Sequence, residues 1–91
     1  MFSYVDGAPY RPLVVLAVND PQVAVSIPGY LRDEAERLKA APTNDRAARF
    51  AAALAADAGR SVRVEIWRPL FDAESLTLTA ELIAAGSGEA P

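Results

Sequence analysis

The chain has 91 residues, which suits a single domain, and its 52% hydrophobic content argues against intrinsic disorder. A formal net charge of −3 gives it no general attraction to nucleic acid or to an anionic membrane. Because the chain contains neither cysteine nor histidine, disulfides, thiolate chemistry and the commonest transition-metal ligands are excluded. We therefore predict neither a cofactor nor a transition-metal site.

The first predicted elements form an antiparallel hairpin. Every residue of Leu13–Val18 is apolar, which is typical of a strand covered on both faces. Asn19–Pro21 has the composition of a turn. Gln22–Ile27 then places a β-branched residue at every second position, the pattern of a second strand. Phe2–Val5 offers a further short strand at the start of the chain.

A first helix is predicted after Pro28, over the segment Tyr30–Ala41. Leu31, Ala35 and Leu38 fall on one stripe of this segment, as the helical period requires for a face that packs on a core.

The second helix has the clearest pattern in the chain. Thr43 or Asn44 is suited to cap its N-terminus, and Gly59 stands where a left-handed residue ends many helices. Phe50 and Leu54 share one face with several alanines, so we expect both to point inward, against the strand that follows.

Two further strands complete the predicted chain. Val62, Val64 and Ile66 alternate with outward residues in the first of them, which Pro69 is expected to end. The segment 75–83 fits a strand or a helix, and its two threonines favour the strand. Residues 86–91 are small or polar and are predicted to form a flexible tail.

These elements predict an α+β fold. In the order ββααββ, an antiparallel sheet is covered on one face by a two-helix hairpin. A single domain is expected over residues 1–85, followed by the tail at 86–91. The order of the strands within the sheet does not follow from the pattern.

No arrangement of residues typical of catalysis is found, and we predict that the protein is not an enzyme. The single lysine, Lys39, falls on the charged side of the first helix, and the serines stand in no nucleophile motif. Acidic residues cluster at Asp33–Glu36 and Asp72–Glu74, where a solvated helix face and a turn account for them. A small carboxylate-dependent enzyme is therefore the weakest of three hypotheses.

Arginines near an aromatic residue raise a second hypothesis, a small nucleic-acid-associated regulator. Such side chains neutralise phosphates and stack on bases. The residues concerned are Arg46 and Arg49 on the second helix, and Arg60, Arg63 and Arg68 around the strand that reaches Trp67. The negative net charge and the interspersed acidic residues argue against this hypothesis, so nucleic acid is not expected as a partner.

The leading hypothesis rests on burial. Two helices can cover only one face of the sheet, whereas the strand Leu13–Val18 is apolar on both, so an apolar face is left open. A contiguous exposed apolar patch usually marks an interface. The predicted interface residues are Leu13, Val14, Val15, Leu16, Trp67, Thr77 and Thr79. The competing interpretation is that the N-terminal segment Phe2–Tyr10 covers this face.

We accordingly predict a protein–protein interaction or assembly module, which forms a homo-oligomer or binds a protein partner. No apolar run is long enough to span a bilayer, and Leu13–Val18 makes a poor signal-peptide core after Pro12. A cytoplasmic location without a membrane partner is therefore the expectation. The preference for arginine over lysine, together with abundant alanine, is typical of a GC-rich bacterial genome.

Overall fold

A computed structural model describes residues 14–90 of the chain. Its elements are β1 (Val15–Val18), α1 (Pro21–Val25), α2 (Gly29–Ala40), α3 (Asn44–Ala58), β2 (Val62–Asp72) and β3 (Thr77–Gly88). The strands form an antiparallel sheet in the order β1–β2–β3. The α+β class, the antiparallel sheet and the pair of longer helices confirm the predicted fold, whereas the observed order of elements is βαααββ.

The prediction of a second strand over Gln22–Ile27 is wrong. Most of this segment lies in the short helix α1. The carboxylate of Asp20 accepts a hydrogen bond of 3.0 Å from the backbone N–H of Gln22, and Pro21 occupies the start of the helix. Both features favour a helix N-terminus. Val23, which the strand pattern placed on an apolar face, is buried in the core instead.

The helix α2 follows the sequence pattern closely. It begins directly after Pro28, and Leu31, Ala35 and Leu38 are its buried residues. The predicted apolar stripe is confirmed.

The helix α3 is also confirmed, including both of its ends. The hydroxyl of Thr43 accepts a hydrogen bond of 3.0 Å from the backbone N–H of Arg46, and Gly59 ends the helix with a left-handed φ of 73°. Its buried residues are Ala47, Phe50, Ala51, Leu54 and Ala55.

The core lies between the helices and one face of the sheet. Val62, Val64 and Ile66 on β2 are buried in the same cluster as Phe50 and Leu54, as the sequence predicts. Leu16 and Val18 on β1, and Val14 directly before it, are partly buried and pack against this cluster. We call this the covered face of the sheet, and the opposite side the open face.

The end of β3 is part of the packed structure. A Cβ added to Gly86 would lie 2.1 Å from the backbone nitrogen of Ala48, and one added to Gly88 would lie 2.3 Å from the Cα of Ala52. Real Cβ atoms do not approach backbone so closely, so only glycine lets α3 rest on the strand here. The predicted boundary of a flexible tail at residue 86 therefore falls inside β3.

Pro69 does not end β2, contrary to the prediction, because the strand continues to Asp72. Arg63 exchanges backbone and side-chain hydrogen bonds with Asn19, which directs its backbone N–H and C=O toward β1. The backbone N–H and C=O groups of successive residues point to alternate edges of a strand. The nitrogen of Pro69, six residues after Arg63, therefore also faces away from β3. Its missing N–H costs the β2–β3 pairing nothing.

Among residues 14–90, no helix is long and apolar enough to cross a membrane.

Candidate functional site

Within residues 14–90, the hairpin of β2 and β3 extends well beyond the packed body. The last described pair between β1 and β2 joins Val15 to Trp67, whereas β2 and β3 stay paired as far as Asp72 and Thr77. Every residue from Leu70 to Leu82 is exposed. We call the part of the hairpin from Trp67 to Leu82 the arm.

A β-bulge at the base of the arm decides which side chains face which way. Ile66 pairs with Ala84 and Trp67 pairs with Leu82, so Ile83 is an extra residue on β3. One extra residue reverses the alternation of side chains along a strand. Ala84 is therefore buried on the covered face, whereas Leu82 turns to the open face.

Beyond the bulge, three consecutive cross-strand pairs are apolar on the open face. These pairs are Trp67–Leu82, Pro69–Ala80 and Phe71–Leu78, and we call their side chains the open-face strip. Phe71, Leu78 and Leu82 are 64%, 71% and 45% exposed. Val15 pairs opposite Trp67 and extends the strip onto β1. The strip is thus a contiguous apolar surface that is open in the described part of the chain.

The other face of the arm is mainly polar. There Arg68 pairs with Glu81, with 3.0 Å between the guanidinium Nη1 and the carboxylate Oε1. Asp72 and Thr77 form the last pair of the hairpin, and only Leu70 is a large apolar residue on this side. The arm is therefore amphipathic, with its apolar side continuous with the open face of the sheet.

A polar group borders the strip at the body end of the open face. The indole Nε1 of Trp67 donates to Glu65 over 3.1 Å, and Arg63 Nε donates to the other carboxylate oxygen of Glu65 over 3.0 Å. The bond from Arg63, followed by that from Trp67, lowers the pKa of the Glu65 carboxyl. This network holds the indole at the edge of the strip, where a polar rim is typical of protein interfaces.

The tip of the arm combines a fixed turn with a strained leucine. The Oδ1 atom of Asp72 accepts hydrogen bonds from the backbone N–H groups of Glu74 and Ser75, over 2.9 and 3.4 Å. Hydrogen bonding by Ser75, and then by the amide of Glu74, lowers the pKa of Asp72. Leu76 has a φ of 57° although its side chain is 76% exposed. Glycine or asparagine would adopt this conformation more readily than leucine. Because the Leu76 side chain is exposed, packing within the described chain does not explain why a leucine stands here.

The predicted interface residues are divided between several places. Val15 and Trp67 lie together on the open face, as expected, whereas Val14 and Leu16 pack against the core on the covered face. Leu13 lies outside the described residues, as does the segment Phe2–Tyr10 that was expected to compete for the open face. The two predicted residues on β3, Thr77 and Thr79, lie on the other face.

Thr77 and Thr79 were expected on the open face, but the structure contradicts that placement. They pair with Asp72 and Leu70, on the same side of the arm as the Arg68–Glu81 ion pair. The bulge is the reason, because beyond it the leucines of β3 lie on the open face and the threonines lie on the opposite face. Sequence reasoning therefore missed Leu78 and Leu82, and it missed Phe71 because Pro69 was expected to end β2. The signal for the two leucines was the alternation around 76–82, which does not reveal a face without the bulge.

The arginines that suggested nucleic-acid binding are mostly held by carboxylates. The ion pairs are Arg49–Asp45, Arg60–Asp20, Arg63–Glu65 and Arg68–Glu81. Neighbouring acids offset the positive potential that phosphate binding requires. Arg46 lines a groove of about 300 Å³ between α2 and α3, together with Arg37 and, at its apolar base, Leu31 and Phe50.

Within residues 14–90, no three acidic side chains come together in a group that could hold a metal ion. In comparisons with known proteins, the chain matches no family model, no curated protein and no solved structure.

Proposed function

We propose that this chain is a non-enzymatic assembly module, which self-associates through the open-face strip. The observation that carries the proposal is the amphipathic arm. Trp67, Phe71, Leu78 and Leu82 form one continuous apolar surface on a hairpin whose other side is mainly polar. Contiguous exposed apolar surfaces on soluble domains usually serve as contacts with other molecules.

The composition of the strip suits a protein partner. Trp67 and Phe71 stand at opposite ends of the strip with leucines across from them, and Phe71 and Leu78 are 64% and 71% exposed. With Val15 at its margin, the strip has the chemistry of an interface centre, apolar and depleted of charge.

The position of the strip also favours binding over a role in stability. Removing an apolar side chain that is exposed costs a folded domain little, so folding alone does not require leucine or phenylalanine along the arm. Leu76 supports the same reading, because an exposed leucine occupies a conformation that costs about 1–2 kcal/mol. Both features are explained if the arm is covered in an assembly.

The test compares charged substitutions on the two sides of one strand. Phe71→Glu places a carboxylate in the strip, and Trp67→Glu does so at its body end. Leu70→Glu is the matched control, because Leu70 is the neighbouring residue on the other face. We expect the first two variants to abolish self-association while the control retains it. Light scattering measures the mass, and circular dichroism shows that the helices remain.

Loss of assembly in Leu70→Glu to the same extent would mean that the open face is not the contact. A folded wild-type chain that stays monomeric at high concentration would refute self-association altogether. If Trp67→Glu unfolded the chain while Phe71→Glu did not, the indole would belong to the fold and only the outer strip to the interface.

A further inference from the structure

The backbone of β3 presents an open hydrogen-bonding edge along the arm. Backbone direction alternates along β2 from Arg63, whose N–H and C=O point toward Asn19 and β1. The backbone groups of Trp67, Pro69 and Phe71 therefore also point away from β3. The backbone N–H and C=O groups of their partners on β3 point away from β2 in turn. These partners are Leu78, Ala80 and Leu82. In residues 14–90, no strand pairs with this side of β3.

Two other outward positions near the arm are protected. At the body end of β3, the side chain of Asn44 accepts the outward N–H of Ala85 over 3.0 Å. On β2, the outward position beyond Trp67 is Pro69, which has no N–H to offer. Proteins commonly protect exposed edges in these ways, because an open edge pairs with other chains. Beyond Pro69, Phe71 is a single outward N–H on β2, whereas Leu78, Ala80 and Leu82 present three outward N–H groups in succession without such protection in the described structure.

We infer that this edge pairs with the same edge of a second copy, so that two arms join in one antiparallel sheet. The inference rests on the proposed function: it specifies a second copy as the partner and brings the two open-face strips side by side on one face of the joined sheet. A two-fold axis would place Ala80 opposite Ala80 of the partner subunit. Leu78 would then lie opposite Leu82 of the partner subunit, on the apolar face. On the polar face, Thr79 would lie opposite Glu81 of the partner subunit.

The side chains are complementary in this register. Alanine is the smallest residue of the strip, and it falls on the axis, where the two copies come closest. Each open-face row would run from Trp67 through Leu82 to Leu78 of the partner subunit. Shifting the axis to Glu81 would instead place two carboxylates directly opposite each other, which is destabilising. This self-complementarity favours a second copy over an unrelated strand.

The experiment removes the backbone N–H that lies beside the two-fold axis. Ala80→Pro removes the outward donor of Ala80, and proline is tolerated at an edge position whose N–H faces away from the neighbouring strand. Ala80→Ser is the control, since it keeps the donor and nearly the same volume. We expect sedimentation analysis to show the dimer dissociation constant raised at least about tenfold in Ala80→Pro, from the loss of one hydrogen bond in each copy. It should stay within about threefold of wild type in Ala80→Ser.

Amide hydrogen exchange of the wild-type chain gives a second readout that needs no substitution. The N–H groups of Leu78, Ala80 and Leu82 should become protected only at concentrations where the chain assembles. Those of Thr79 and Glu81 point toward β2 and should be protected throughout, which provides an internal control. Protection of the outward amides at every concentration would mean that the chain covers its own edge, and would overturn the inference.

The outcomes separate this inference from the proposed function. If Ala80→Pro assembles as well as Ala80→Ser while Phe71→Glu does not assemble, the strips pack face to face. The edge pairing is then wrong and the proposed function stands. If the wild-type chain does not assemble at all, both fail.

Discussion

In its first half, β2 belongs to a packed core, whereas in its second half the same strand carries apolar residues into solvent. Val62, Val64 and Ile66 are buried beneath the helices, and their partners on β3 are Gly88, Gly86 and Ala84. From Leu70 onward the strand is exposed. The body thus combines large residues on one strand with glycine and alanine on the next, because α3 approaches the sheet closely there.

The arm shows the opposite arrangement. Large residues on β2 pair with large residues on β3 in two of its three apolar pairs, Trp67–Leu82 and Phe71–Leu78, and no helix covers them in the described structure. Hydrophobicity therefore has separate roles in the two halves of one hairpin. In the body it stabilises the monomer, and in the arm we propose that it stabilises an assembly.

The largest expected difference is between two leucines. Leu54 is 1% exposed on α3, and Leu78 lies in the arm. Leu54→Ala should lower the free energy of unfolding by about 2–5 kcal/mol, since it leaves a cavity in the core. Leu78→Ala should change it by less than about 0.5 kcal/mol in the monomer. Urea denaturation of dilute protein measures both, and similar losses at the two sites would show that the arm is packed within one chain.

The contact between α3 and β3 provides the next test. Gly86→Ala forces a methyl group onto the backbone of Ala48, and should destabilise the fold by about 1–3 kcal/mol through overpacking. Ser87→Ala, at the exposed neighbouring position, should have an effect within about 0.5 kcal/mol. Thermal denaturation of the two variants decides the matter. Equal stability would mean that β3 does not rest on the helix as the structure describes.

The smallest effect is expected at the tip of the arm. Leu76→Gly relieves the positive φ, and after the entropy cost of glycine the fold should gain up to about 1 kcal/mol. Ala73→Gly, in the same turn but outside the positive-φ region, should instead lose about 0.4–1 kcal/mol. Chemical denaturation compares them. If Leu76 contributes to the assembly, Leu76→Gly should also weaken self-association, and a loss of monomer stability would refute the strain.

The sequence predicts the elements whose signals are local. The cap at Thr43, the left-handed Gly59 and the apolar face with Leu54 lie within or beside one helix, so α3 is correct at both ends. At Gln22–Ile27 two local signals compete. The cap formed by Asp20 and Pro21 favours a helix, the alternating valines favour a strand, and the cap prevails.

Features that depend on neighbouring strands could not be predicted. Pro69 predicts the end of a strand unless its missing N–H is known to face the edge of β2 away from β3. Gly86 predicts a flexible tail unless a helix is known to rest on it. Val15 and Trp67 lie on the same face of the sheet, as predicted. The bulge at Ile83 then exchanged the threonines for the leucines of β3, and no local pattern marks that bulge.

The most direct test of the central claim, that the open-face strip is an interface, is the sedimentation of the full chain over a wide range of concentration. We predict that the mass rises with concentration from one chain to two, while circular dichroism shows an unchanged fold. A folded chain that sediments with the mass of a monomer up to the limit of its solubility would contradict the account.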